Sequence, residues 1–194
     1  SQDFTYANDF HLTVKHLAVA KLNDEGIELR SHPVMLSKDS SLAGLKGVRN
    51  GIQFDTNLLG EFHVAGSGAG RESTASGLIS DIFALSRSNG SSPMRYPDFS
   101  KKPNLLNFDD LVFKYYVYLE VKDEPGVLAL ISKIFADQSI GFDKVIQKDQ
   151  LGNGNVPVVI FTDPIVENEM QTALQDLKNH PVILSSKIIR IEDL

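Results

Sequence analysis

Cysteine and tryptophan are both missing from this chain. Without a thiol there is no disulfide, no zinc–thiolate site and no cysteine nucleophile, a composition suited to a reducing cytoplasm. Basic residues are outnumbered, 19 Lys and Arg against 25 Asp and Glu, so the chain carries a net charge of -6 and no electrostatic footprint for nucleic acid. No apolar run approaches the ~20 residues that span a bilayer. The opening SQDFTYANDF lacks the charged-then-apolar layout of a signal peptide. Five histidines, at 11, 16, 32, 63 and 180, form no HxxxH pair and join no carboxylate cluster, so no metal site is expected.

What remains is an ordinary globular composition, 42% hydrophobic over 194 residues, with room for one large domain or two small ones. A helical stretch over 3–11 leads to two strands near Val14–Lys21 and Gly26–Met35, turned by Asn23-Asp24-Glu25-Gly26. Pro33 lacks a donor, which predicts an edge position or a strand end. Ser40–Leu45 reads as one short helical turn. Gly51–Asp55 and Glu61–Ala65 form a second hairpin. Next comes Gly66-Ser67-Gly68-Ala69-Gly70, followed by a helix whose Ala75, Leu78, Ile79, Ile82 and Phe83 draw one apolar stripe. Asn89-Gly90 is placed to stop it. The run SNGSSPMRYPDFSKKPNLL, from Ser88, is a linker or a long surface loop and marks a domain boundary.

Beyond it the rhythm changes. Strand Tyr115–Val121, a helix after Pro125-Gly126, strands near Asp143–Lys148 and Val156–Thr162, helix Glu167–Lys178 and strand Val182–Ile191 spell βαββαβ, a ferredoxin-like unit. The fold class is therefore α+β.

The glycine stretch is not a dinucleotide fingerprint, because Arg71 stands where GxGxxG needs its third glycine and no carboxylate lies about 20 residues on. There is no GxxxxGK either. Strand, glycines and helix start still bring bare N–H groups to the positive end of a helix dipole, with Ser73 and Thr74 as candidate caps. On spacing alone, a tight turn and a contact to an anionic cofactor both remain open.

GSGAGRESTASGLISDI resembles the carboxyl-terminal signature of homoserine dehydrogenases, a GxGAG turn before a T-A-S helix with an acidic residue, here Asp81, seven along. ANDFHLTVKHLAVAK and HPVMLSKDSSLAGLKGVRNGIQFDTNLLGEFHVAGSGAG are similar to that family's substrate domain. YYVYLEVKDEPGVLALISKIFADQSIGFDKVIQ resembles an ACT domain, the amino-acid-sensing module many of these enzymes carry. The resemblance implies a partial mixed-sheet substrate/dimerisation domain over 1–90, a linker over 91–112 and an ACT domain over 113–194. It also implies a nucleotide-binding domain and a catalytic lysine lying before Ser1, so no catalytic residue is expected in this chain, which alone should be inactive.

From the same resemblance, NADP or NAD is the parent's cofactor, Gly70 is the one cofactor-contacting position that carries over, and Arg71 is a solvated arginine or a phosphate ligand. The loop after the first ACT strand would receive an amino acid at the interface of two modules. Asp123 would meet the ammonium, the N–H groups of Gly126 and Val127 the carboxylate, and Ile146 and Gln147 would form the facing wall. L-threonine is the expected effector, and a homodimer or tetramer the expected assembly. On spacing alone Pro125-Gly126 is also simply a helix start. A non-enzymatic amino-acid sensor with a dimerisation domain is the competing reading.

Overall fold

The structure, a computed structural model, describes residues 2–88, 104–152 and 154–193. The elements in chain order are α1 (Gln2–Asp9), β1 (Leu12–Leu22), β2 (Ile27–Ser37), β3 (Arg49–Thr56), β4 (Gly60–Ser67), α2 (Arg71–Arg87), a 3-10 turn (Phe108–Asp110), β5 (Val112–Lys122), α3 (Val127–Asp137), β6 (Phe142–Gln147), β7 (Asn155–Thr162), β8 (Ile165–Val166), α4 (Glu167–Lys178) and β9 (Ile183–Glu192). The class is α+β, as the pattern predicts.

Local chemistry accounts for most of these elements. The turn between β1 and β2 closes because the Asn23 side-chain oxygen accepts from the N–H groups of Glu25 and Gly26, both at 3.0 Å. Helix α4 opens with Glu167 and Glu169 and ends with Lys178, charges that complement the helix dipole. Its buried Met170, Ala173, Leu174 and Leu177 recur at helical spacing on one face. Helix α3 does the same with Val127, Ile131 and Phe135. Strand β5 is buried on both faces and forms the centre of the sheet. Tyr115, Val117 and Leu119 pack with α3 and α4, while Tyr116 and Tyr118 face the opposite side with Ala7 of α1, Met35, Val159 and Phe161. Each fully buried large side chain stabilises the sheet by about 1.5–3 kcal/mol.

The compact units do not follow the expected division at residue 90. Ser1–Ser37 and Pro103–Leu194 cluster as one unit, and Lys38–Lys102 as another. The first unit holds one sheet ordered β1-β2-β9-β5-β7-β6, with β8 attached to β5. Strands β9-β5-β7-β6 are the ferredoxin-like βαββαβ set, and the β1–β2 hairpin extends it. The join is a parallel pairing of Val34, Met35 and Leu36 with Arg190, Ile191 and Glu192. Those three β2 side chains are fully buried, and this burial favours a partner that no local pattern announces. Pro33 sits mid-strand opposite His16 rather than at a strand end, but the pairing with β9 covers only Val34–Leu36, so at Pro33 the β9 side of β2 is an unpaired edge, as expected. Residues 89–103, which carry the expected helix stop at Asn89-Gly90 and much of the expected linker, lie outside the described residues. Of the rest, Leu105 bridges Ile27 in parallel and Phe108–Asp110 make the 3-10 turn.

The second unit contains turns over 38–48, the β3–β4 hairpin and α2. Phe54 and Phe62 stack across the hairpin at 4.8 Å. Helix α2 buries none of its residues. Its apolar stripe is exposed, with Leu78 at 60% and Ile82 at 63% of full exposure.

Candidate functional site

Two places carry the geometry of a site. The first is the turn from β4 into α2. Gly70 is the residue before the helix and has φ 126° and ψ 141°, a backbone region essentially reserved for glycine. A side chain at Gly68 would displace the end of the Asn50 side chain, and the Gly68 N–H donates to Val48 O at 2.8 Å. Ser73 does not act as the expected cap. Its hydroxyl donates to the carbonyls of Ala69 at 3.2 Å and Gly70 at 3.0 Å, and no side chain caps the helix start. Thr74 closes the first turn through its own N–H on Gly70 O, 3.1 Å away. The helix start thus presents backbone N–H groups without a side-chain acceptor, beside an exposed Arg71.

The second is a cavity of about 450 Å³ in the first unit, where β5 passes into α3. Asp123, Gly126, Val127 and Gln147, four of the five residues expected there, line it together with the apolar Val121, Val156 and Val158. The register of β5 against β9 shifts between Glu120 and Val121, just before this loop. Gly126 adopts the left-handed conformation, φ 91°, as the cap of α3, so Pro125 stands one residue outside the helix rather than at its first position. The Asp123 carboxylate accepts from Gln150 at 3.3 Å, and the N–H of Val127 reaches Glu124 O at 3.4 Å. A small ligand would compete with both contacts. Apolar walls with a few convergent polar groups are what a small-molecule site requires.

Ile146 is the exception among the expected residues. It packs against the cluster of Ala7, Tyr116, Tyr118 and Phe161 on the other face of the sheet. Successive strand residues point to opposite faces, so Ile146 and Gln147 cannot both line one cavity.

A buried ionic cluster escapes any reading of the sequence. Glu167, 2% exposed, accepts from the Tyr115 hydroxyl at 2.6 Å, from Arg190 Nε at 2.8 Å and Nη2 at 2.5 Å, and from Gln171 at 2.7 Å. Burial pushes its carboxyl upward, but the hydrogen bonds from Arg190, Tyr115 and Gln171 outweigh that and hold it below the usual carboxylate range. Burial and the neighbouring carboxylate push the Tyr115 phenol well above its ordinary value. Near it, Glu192 of β9 binds Arg30 of β2 at 2.5 Å and Lys21 of β1 at 2.8 Å, fastening the β2–β9 join. Apart from Gln171, four residues along α4 from Glu167, the partners lie 23 to 171 residues apart and share no spacing that could have shown them.

The sequence profile of the homoserine dehydrogenase family matches residues 1–83. A homoserine dehydrogenase of Helicobacter pylori is 35% identical over 192 residues, 98% of this chain and 45% of that protein. The chain is a relative of the homoserine dehydrogenases. A second such enzyme, from Pseudomonas aeruginosa, is 30% identical across the whole chain and 47% of its own length. The crystal structure of the homoserine dehydrogenase from Thiobacillus denitrificans superposes with a TM-score of 0.85 at 28% identity, covering 99% of this chain and 45% of that one. The chain therefore spans about half the length of the homoserine dehydrogenases it matches. Both candidate places lie within the stretch these enzymes share. Among the described residues no helix is long and apolar enough to cross a membrane.

Proposed function

We propose that this chain is the carboxyl-terminal part of an NAD(P)-dependent homoserine dehydrogenase, a cytoplasmic oxidoreductase interconverting L-homoserine and L-aspartate 4-semialdehyde in threonine and methionine biosynthesis. The single observation that carries this reading is the likeness over nearly the entire chain, in sequence and in fold. The exposed apolar stripe of α2 supports it, because Leu78, Ile79, Ile82 and Phe83 make half of a core that needs further polypeptide to complete it. When bound, the nicotinamide would exchange the hydride, the oxidised form accepting it from homoserine and the reduced form returning it to the semialdehyde. Gly70 fits a contact to that cofactor, since its Cβ-free backbone lets an anionic group approach the N–H groups at the start of α2. The dinucleotide fold and catalytic lysine belong to the remainder of the parent, and this chain alone is inactive. The parent assembles as a homodimer or tetramer.

The βαββαβ unit serves as an ACT domain, and the cavity beside Asp123 receives L-threonine as feedback inhibitor. The Asp123 carboxylate meets the ammonium and the valine walls meet the side chain. Calorimetric titration with L-threonine, against L-methionine and L-isoleucine, tests this. Selective, saturable heat that Asp123→Asn abolishes is the expected result. Absence of heat with all three removes the sensing role. The enzymatic reading has its own assay, homoserine-dependent reduction of NADP and NAD by the parent polypeptide, and no reduction of either overturns it.

A further inference from the structure

Helix α1, Gln2–Asp9, is docked on the sheet through its own side chains. It lies on the sheet face opposite α3 and α4. Ala7 is 1% exposed, Tyr6 stacks on Tyr118 at 6.1 Å, and Phe10, just past the helix, meets Phe161 edge-on at 4.8 Å. An ion pair holds each end: Asp3 with Lys187 at 3.4 Å, and Asp9 with Lys148 at 3.1 Å. Lys148 also lies over the rings of Tyr6 and Phe10.

The floor under α1 and one wall of the Asp123 cavity are the same two strands. Gln147 pairs with Val158, and both line the cavity. One residue away, Ile146 pairs with Val159, and both belong to the cluster that holds α1. One residue further in the other direction, Lys148 donates its N–H to Pro157 O at 3.0 Å and sends its ammonium to Asp9. Three consecutive residues thus touch the α1 floor, the cavity and the end of α1 in turn. Because successive side chains of one strand point to opposite faces, a shift of the β6–β7 backbone on the cavity side is carried to the α1 side.

We infer that α1 is a strap whose docking is coupled to occupancy of the cavity through Ile146-Gln147-Lys148 and their partners on β7. A ligand that fixes Gln147 fixes the floor and holds α1 down. By linkage, a docked α1 raises affinity for the ligand by the same factor. This rests on the reading of the cavity as an amino-acid site, and the test separates the two.

Amide hydrogen exchange of the whole chain, with and without saturating L-threonine, is the measurement. The α1 amides should exchange at least about fivefold more slowly with threonine bound, the lower end of ordinary coupling between sites. Lys148→Met should weaken threonine binding by a similar factor. Threonine heat with unchanged α1 exchange overturns the strap and leaves the sensor. If threonine gives no heat, the ligand-free variants decide. Lys148→Met should speed exchange in α1 and also at Leu130, whose N–H closes the first turn of α3 on Gly126 O at 3.0 Å. Lys187→Met, which loosens the far end of α1, should speed exchange in α1 alone. Equal effects of the two variants at Leu130 overturn the coupling.

Discussion

Replacing Arg190 with methionine should be among the most damaging single changes available in this chain, and its partner change should partly repair it. Arg190 gives Glu167 two hydrogen bonds, at 2.8 and 2.5 Å, and Glu167 is 2% exposed. Removing the guanidinium leaves a buried carboxylate without its countercharge, a loss of about 3–5 kcal/mol. Adding Glu167→Gln removes the charge while keeping an oxygen for the Tyr115 hydroxyl, and should return roughly 2 kcal/mol of it. Urea unfolding followed by tyrosine fluorescence is well suited, since there is no tryptophan and Tyr6, Tyr115, Tyr116 and Tyr118 all lie in the first unit. The pH dependence carries the sign. In the wild type the Glu167 carboxyl is held below its unfolded value, so its contribution is present above the ordinary carboxylate range and fades as pH falls through the folded value. In Arg190→Met the carboxyl keeps only the Tyr115 and Gln171 hydrogen bonds against burial and so titrates higher than in the wild type, and the deficit should shrink as pH is lowered from 7 to 5. A single-variant cost below about 1 kcal/mol, or a double variant less stable than the single, refutes the assignment of this cluster as a charge-compensated pair.

Two further outcomes follow from the second unit. Gly70→Ala forces a side chain into a φ of 126° and brings its Cβ to 3.2 Å from Ser73 Oγ; the strain of about 1–3 kcal/mol should raise the parent's KM for its dinucleotide roughly tenfold, about 1.4 kcal/mol. Gly66→Ala, where a Cβ meets open space, is the control, and equal effects at the two positions remove Gly70 from the cofactor site. Ile82→Glu on the exposed stripe of α2 should change the stability of this chain by less than about 0.5 kcal/mol while abolishing activity of the parent; a parent that stays active shows the stripe covers nothing.

Much of the fold was legible because it follows from local periodicity. The strand alternation, the apolar faces of α3 and α4, and the Asn23 turn are written in neighbouring residues, and α4 spans Glu167–Lys178 as expected. Four of the five expected effector positions do line one cavity. What was not legible is long-range choice. Nothing in Val34–Leu36 announces β9 as a partner, because a three-residue parallel pairing is selected by what it buries and not by its own pattern. Glu167, Arg190 and Tyr115 are ordinary residues until folding brings them together. The misplacement of Ile146 was avoidable, since the alternation along β6 already assigns Ile146 and Gln147 to opposite faces.

The β2–β9 join also sets an order of events during synthesis. Arg30 and Glu192, which clasp across it, are 162 residues apart. At 5–20 residues per second, β2 leaves the ribosome roughly ten to thirty seconds before its partner. Through that interval the buried segment Val34–Leu36 has only β1 beside it, while the inserted unit over 38–102 is already made. The nascent chain therefore holds an apolar strand edge open until β9 emerges, and synthesis of β9, rather than of the hairpin, closes this part of the sheet.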